Sequence, residues 1–155
     1  MLPMHLIFRP MTKADFPACA EELIAAFREE PWCETWTHDQ AFTRIDEIMS
    51  ARVSRGVVCM DGSKCVSMLC GRIMTYQDQK LFYIDEFSVH PDYQRQGIGS
   101  RMLTFLREEL MQEPQPISHI SLITERGFPS VAFYEKNGFV ELQNELTMAG
   151  YVNWP

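Results

Sequence analysis

The chain has 155 residues, 46% hydrophobic and 23% charged, a size that suits one domain (residues 1–155) with a full apolar core. A formal net charge of -7 leaves no basic stripe to neutralise phosphates, so nucleic acid is excluded as a partner, and an acidic surface would attract a cationic substrate. No stretch approaches the length of a membrane span, and residues 1–10 (MLPMHLIFRP) lack the basic start and long apolar segment of a secretory leader, so no membrane partner and a cytoplasmic location are expected.

In chain order, residues 5–11 read as a first strand and Thr12-Lys13-Ala14-Asp15 as the start of a helix that carries Leu23, Ile24 and Phe27 and stops at Pro31. Residues 31–37 then place Trp32 and Trp36 four apart beside two acidic residues. Thr37 can cap a second helix, with Ala41, Phe42, Ile45, Ile48 and Met49 at helical spacing, ending near Ser54. Residues 56–60 and 65–75 read as a hairpin across Asp61-Gly62, and residues 76–80 as a polar loop. The run LFYIDEFSV, residues 81–89, is rich in aromatic and branched residues, as a buried strand should be, and Pro91-Asp92 close it. A helix starts near Ile98, with Met102, Leu103, Leu106 and Leu110 on its apolar face. Residues 117–124 supply another strand, 125–129 a turn, and 130–136 a helix stopped by Asn137-Gly138. Residues 139–142 and 146–151 look like two closing strands.

Five cysteines, Cys19, Cys33, Cys59, Cys65 and Cys70, are odd in number and contain no Cys-x-x-Cys pair, so they read as reduced thiols; Cys59 and Cys65 flank the first hairpin turn and are placed to face one another. His5, His38, His90 and His119 are scattered, and none pairs with a cysteine or carboxylate at ligand spacing, so no metal is expected.

Two glycines, Gly97 and Gly99, sit where the third helix begins. Backbone without Cβ atoms permits close approach of a ligand, and the unpaired amides and dipole of a first helical turn suit a phosphate. A dinucleotide fingerprint would need a third glycine at 102, where Met102 stands, and no glycine is followed by Lys and Ser or Thr as a Walker loop requires. The remaining alternative is a tight turn into a helix.

The pattern Gln94-Arg95-Gln96-Gly97-Ile98-Gly99, after a strand ending in Val89-His90-Pro91, resembles the acetyl-coenzyme A loop of the GNAT superfamily of N-acetyltransferases. Downstream, Ser130-Val131-Ala132-Phe133-Tyr134-Glu135-Lys136-Asn137-Gly138-Phe139 resembles the family's helix that carries a catalytic tyrosine. The resemblance implies an α/β (α+β) GNAT fold, a mixed, mostly antiparallel sheet of about six to seven strands flanked by about four helices. It implies acetyl-coenzyme A as cofactor, held by the backbone of Gln94, Arg95, Gln96, Gly97, Ile98, Gly99 and Ser100, with Arg95 or Arg101 adding charge. Amides near Phe87, Ser88 and Val89 would meet the pantetheine arm. Homodimerisation is common in the family.

Acyl transfer to an amine needs the thioester held and polarised, the amine deprotonated and the leaving thiolate protonated. By resemblance Tyr134 is the general acid. Asp85 and Glu86 resemble the acidic pair of polyamine acetyltransferases, which makes Asp85 the candidate base acting through water and Glu86 a substrate-binding group. Adjacent residues on a strand point to opposite faces, so only one of the two is expected to face the acceptor, with Tyr83 on the Asp85 face. The segment between the first two helices covers the acceptor site in the family, so Trp32 and Trp36 read either as an aromatic wall for a cationic amine or as packing or dimer-contact residues. Many members carry an asparagine seven residues before the tyrosine; here that position is Gly127. These residues imply transfer of acetyl to a primary amine of a small cationic acceptor, aminoglycoside-like or polyamine-like. The alternatives are a peptide or protein N-acetyltransferase and a non-catalytic acyl-coenzyme A sensor.

Overall fold

In a computed structural model that describes residue 3 and residues 5–153, the chain forms two compact units, Met1–Ile123 and Thr124–Pro155. The first contains β1 (Leu6–Pro10), α1 (Phe16–Arg28), α2 (His38–Ile48), β2 (Ser54–Asp61), β3 (Lys64–Tyr76), β4 (Gln79–Val89), α3 (Ile98–Leu110) and β5 (Ile117–Ser121). The strands make one sheet in the order β1-β2-β3-β4-β5, antiparallel until the last pair, where β4 and β5 run parallel. A parallel pair needs a long crossover, and α3 supplies it.

Helices cover both faces of this sheet. Cys19, Ala20 and Leu23 of α1 and Ala41 and Ile45 of α2 pack with Val58, Met60, Met68 and Cys70 of β2 and β3. On the opposite face, α3 buries Ile98, Met102, Leu103, Leu106 and Leu110, the apolar stripe its sequence predicts. Thr37 caps α2 as expected: its hydroxyl accepts from Gln40 N at 3.1 Å, and Gln40 Oε1 accepts from Thr37 N at 2.9 Å.

Several boundaries differ from the sequence reading. α2 ends at Ile48, six residues early. The polar loop expected at 76–80 is a two-residue turn, because Tyr76 pairs with Gln79 and Gln77 takes the positive φ of 56°. Cys59 lies opposite Ser67, not Cys65; a bulge after Cys59 shifts the register, and the sulfur neighbour of Cys65 is Cys19 of α1, 3.9 Å away.

In the second unit, α4 (Pro129–Lys136) follows a turn in which Phe128 N donates to Glu125 O. Gly127 adopts φ 83° in that turn. The closing strands expected at 139–142 and 146–151 do not form, so the sheet has five strands where six to seven were expected. Alternation alone does not make a strand; pairing into a ladder does.

Candidate active site

β4 carries one residue too many for its partner. Glu86 lies opposite Cys70 and Ile84 opposite Gly71, so Asp85 is a bulged residue with no partner in the β3 ladder. The bulge reverses an expectation. Paired residues share a face, and Cys70 and Arg72, two apart on β3, share the α1/α2 face. Tyr83, opposite Arg72, and Glu86, opposite Cys70, therefore face α1 and α2 together. Asp85 joins them, because its carboxylate accepts from Arg72 Nε at 2.9 Å and Nη2 at 3.0 Å. Asp85 and Glu86 do not point to opposite faces, since the extra residue cancels the alternation. The expected company of Tyr83 and Asp85 does hold.

Gly71 makes this geometry possible. A Cβ there would sit 2.0 Å from the carbonyl oxygen of Tyr83, so no other residue fits beside the bulge. Glycine inside a strand-like run is a signal for such a bulge, and sequence reasoning passed over it. Arg44 and Arg72 were also missed. Arg44, on α2, lies 42 residues from Glu86, and no local pattern joins them.

The two carboxylates differ in company. Asp85 is clamped by Nε and Nη2 of Arg72, whose pKa is raised by that hydrogen bonding, and Arg72 lies 5.9 Å over the Tyr83 ring. Glu86 receives a bond from Arg44, Nε to Oε1 at 3.0 Å. Burial pushes Glu86 above the ordinary carboxylate range despite Arg44, and Glu34 and Asp85 push the same way. Burial also raises the Tyr83 phenol.

Trp36 borders an open cleft of about 590 Å³ with Asp39, Gln40, Thr43 and Arg44, and its indole donates to Glu34 at 2.9 Å. Trp32 instead packs edge-on against Phe27, 5.4 Å between ring centres. The structure thus separates the two tryptophans: Trp36 borders the cleft beside the carboxylate cluster, and Trp32 packs on α1.

The partnership of β4 with β5 ends at Tyr83↔Ser121, while β4 continues to Val89. Phe87, Ser88 and Val89 lie in this splayed stretch. Beyond it, Gln94 Nε2 donates to Val89 O at 2.9 Å and His90 Nδ1 accepts from Asp92 N, so both side chains shape the approach to α3. Gln96 likewise bonds back to Asp92 O. Arg95 and Gly97 take positive φ values of 62° and 83°, and Gly97 caps α3, leaving the amides of Ile98, Gly99 and Ser100 without intrahelical acceptors. The space a Cβ of Gly97 would enter is open. This donor set, amides without intrahelical acceptors at a helix N-terminus with a flanking Arg95, fits a pyrophosphate. Arg101 is spent elsewhere, over the Phe8 ring at 5.4 Å and 3.5 Å from Glu108. In the second unit, Tyr134 of α4 packs edge-on against Phe133 and Phe139, each 5.3 Å away.

Among the described residues no three His, Cys, Asp or Glu side chains are grouped to hold a metal, and no helix is long and apolar enough to cross a membrane. The family model described as Acetyltransferase (GNAT) family matches residues 17–139. The chain therefore belongs to the GNAT acetyltransferase family, a family of acyltransferases. Its fold is shared with a possible acetyltransferase from Clostridium difficile (16% identity, 94% of this chain and 96% of that one, TM-score 0.76). It is likewise similar to a transcriptional regulator from Bacillus halodurans (22%, 94% and 100%, TM-score 0.73) and an aminoglycoside acetyltransferase from an uncultured soil metagenomic sample, solved with sisomicin (16%, 97% and 97%, TM-score 0.71).

Proposed function

We propose that this chain transfers an acetyl group from acetyl-coenzyme A to a primary amine of a small, cationic, aminoglycoside-like or polyamine-like acceptor. The observation that carries this reading is the bulge at Asp85, which gathers Tyr83, Asp85 and Glu86 on one face beside Arg44 and Arg72. Three acidic side chains influence one another there, Glu34 included, next to the half-buried Trp36, a setting that suits an ammonium group. A soluble, cytoplasmic, homodimeric enzyme of one domain accords with five free thiols and with the family resemblance.

The cofactor supplies an activated acetyl thioester. The α3 amides of Ile98, Gly99 and Ser100 and the Arg95 side chain bind its pyrophosphate, and the splayed stretch of Phe87, Ser88 and Val89 orients its arm and polarises the thioester carbonyl. Glu86 takes the amine proton, directly or through water. Its raised proton affinity makes it the better base, whereas both oxygens of Asp85 are engaged by Arg72, which fixes that guanidinium beside Tyr83. Tyr134, assigned by the family motif, returns a proton to the thiolate.

The test is thiol release from acetyl-coenzyme A over polyamines, aminoglycosides, amino acids and short peptides. Turnover is expected on cationic small amines, with kcat lowered roughly 10²- to 10⁴-fold by Glu86→Gln, less by Asp85→Asn, and lowered without abolition by Tyr134→Phe. Turnover on peptides alone would replace this reading with a peptide N-acetyltransferase. Cofactor binding with no turnover on any amine would make the chain an acyl-coenzyme A sensor, a reading kept because a transcriptional regulator shares the fold.

A further inference from the structure

Glu22, in the middle of α1, is 1% exposed and sits on the helix face that packs on the sheet. Its Oε2 accepts from the Ser88 hydroxyl at 2.7 Å, while its Oε1 is buried without a hydrogen-bond partner among the described residues. Ser88 is held a second time, since the Ser67 hydroxyl donates to the Ser88 carbonyl at 2.7 Å. Both bonds fall on the stretch of β4 that has parted from β5.

The groups around Glu22 do not neutralise it. On its own helix, Glu21 pairs with His38 of α2 at 3.6 Å, and Arg28 lies in the last turn. Lys64 of the β2–β3 hairpin sits 5.2 Å over the Tyr93 ring, and His90 caps the turn after β4. On the strand side stands Glu86, whose charge favours a neutral neighbour, and the thiols of Cys65 and Cys70 supply no positive charge. A buried carboxylate with one oxygen unpartnered and no cation bonded to it is costly, whereas a protonated carboxyl in the same place is cheap. In accord with that geometry, burial pushes the Glu22 carboxyl from 4.5 up to about 8.

We propose that Glu22 is a positioning residue for acyl transfer: as a neutral acid it fixes Ser88 and the splayed stretch of β4, and on losing its proton it weakens the hold on the acetyl-coenzyme A arm. The proposal rests on the acetyl-transfer reading above. The Ser88 bond survives ionisation, because a carboxylate also accepts from a hydroxyl. What changes is charge. A negative group behind the amides of Phe87 to Val89 opposes both the anionic cofactor and the charge that develops on the thioester oxygen. The neutral form prevails at pH 7 and is lost as pH rises through about 8.

The experiment compares the native protein with Glu22→Gln, which mimics the neutral acid, and with Ser88→Ala. Acetyl-coenzyme A affinity is measured calorimetrically from pH 6 to 9.5, and the Glu22 carboxyl is followed by carbon-13 NMR. Native affinity relative to Glu22→Gln is expected to fall about fivefold or more across the NMR-detected titration, the size expected of a buried unit charge several ångströms away. Ser88→Ala should bind more weakly at every pH and keep the step. A native-to-variant ratio that stays constant with pH, or a Glu22 that titrates in the ordinary carboxylate range, overturns the proposal and leaves the transferase reading standing. No acetyl-coenzyme A binding by the native protein at any pH overturns both.

Discussion

One methyl group is enough to abolish the bulge at Asp85. In Gly71→Ala the new carbon would meet the Tyr83 carbonyl at 2.0 Å, and backbone on a central strand has little room to yield. The variant is expected to lose about 1–3 kcal/mol or more in urea denaturation and, if it folds, to lose acetyl transfer, because Asp85 and Glu86 would then alternate across the sheet. Normal turnover in a stable Gly71→Ala protein would show that the shared face is not needed. At this scale the sequence named both carboxylates but assigned their directions wrongly. Alternation is the rule for a regular strand, and only the count of residues in the partner strand reveals an insertion. Glu22 left a fainter mark: a charge placed within the apolar stripe of Cys19, Leu23 and Ala26.

The strand, loop and helix from β4 to α3 form the most legible element. Its buried run, its turn at His90-Pro91 and its glycine-started amphipathic helix each follow from local composition, and the structure has all three. Its left-handed cap gives a second prediction. Gly97→Val, a β-branched residue at φ 83°, strains the cap and places side-chain bulk in the open space before the helix amides. The dissociation constant of acetyl-coenzyme A should rise about tenfold or more, with a far-ultraviolet circular dichroism spectrum that stays native. Unchanged affinity would move the pyrophosphate away from α3. The splay of β4 from β5 was not legible, because it depends on where a strand well downstream, beyond α3, stops pairing.

Over the whole molecule, a net charge of -7 would attract the proposed cationic acceptor electrostatically. For a polycationic amine, kcat/KM should fall several-fold as ionic strength rises from about 0.01 to 0.15 M, the range over which the Debye length shortens from about 30 to 8 Å. A neutral amine measured alongside should show little change, and equal salt dependence of the two would remove charge from the account of substrate choice.

By itself the sequence determined the family motifs, the apolar stripe of α3, the cap of α2 and the loop before α3, since all of these are written in spacings of a few residues. Tertiary structure alone decided which face Asp85 shows, which arginine each carboxylate meets, that Trp36 and not Trp32 borders the cleft, and that residues 139–151 form no strand. Those outcomes depend on a ladder partner or on a side chain tens of residues away, and local pattern holds no record of either.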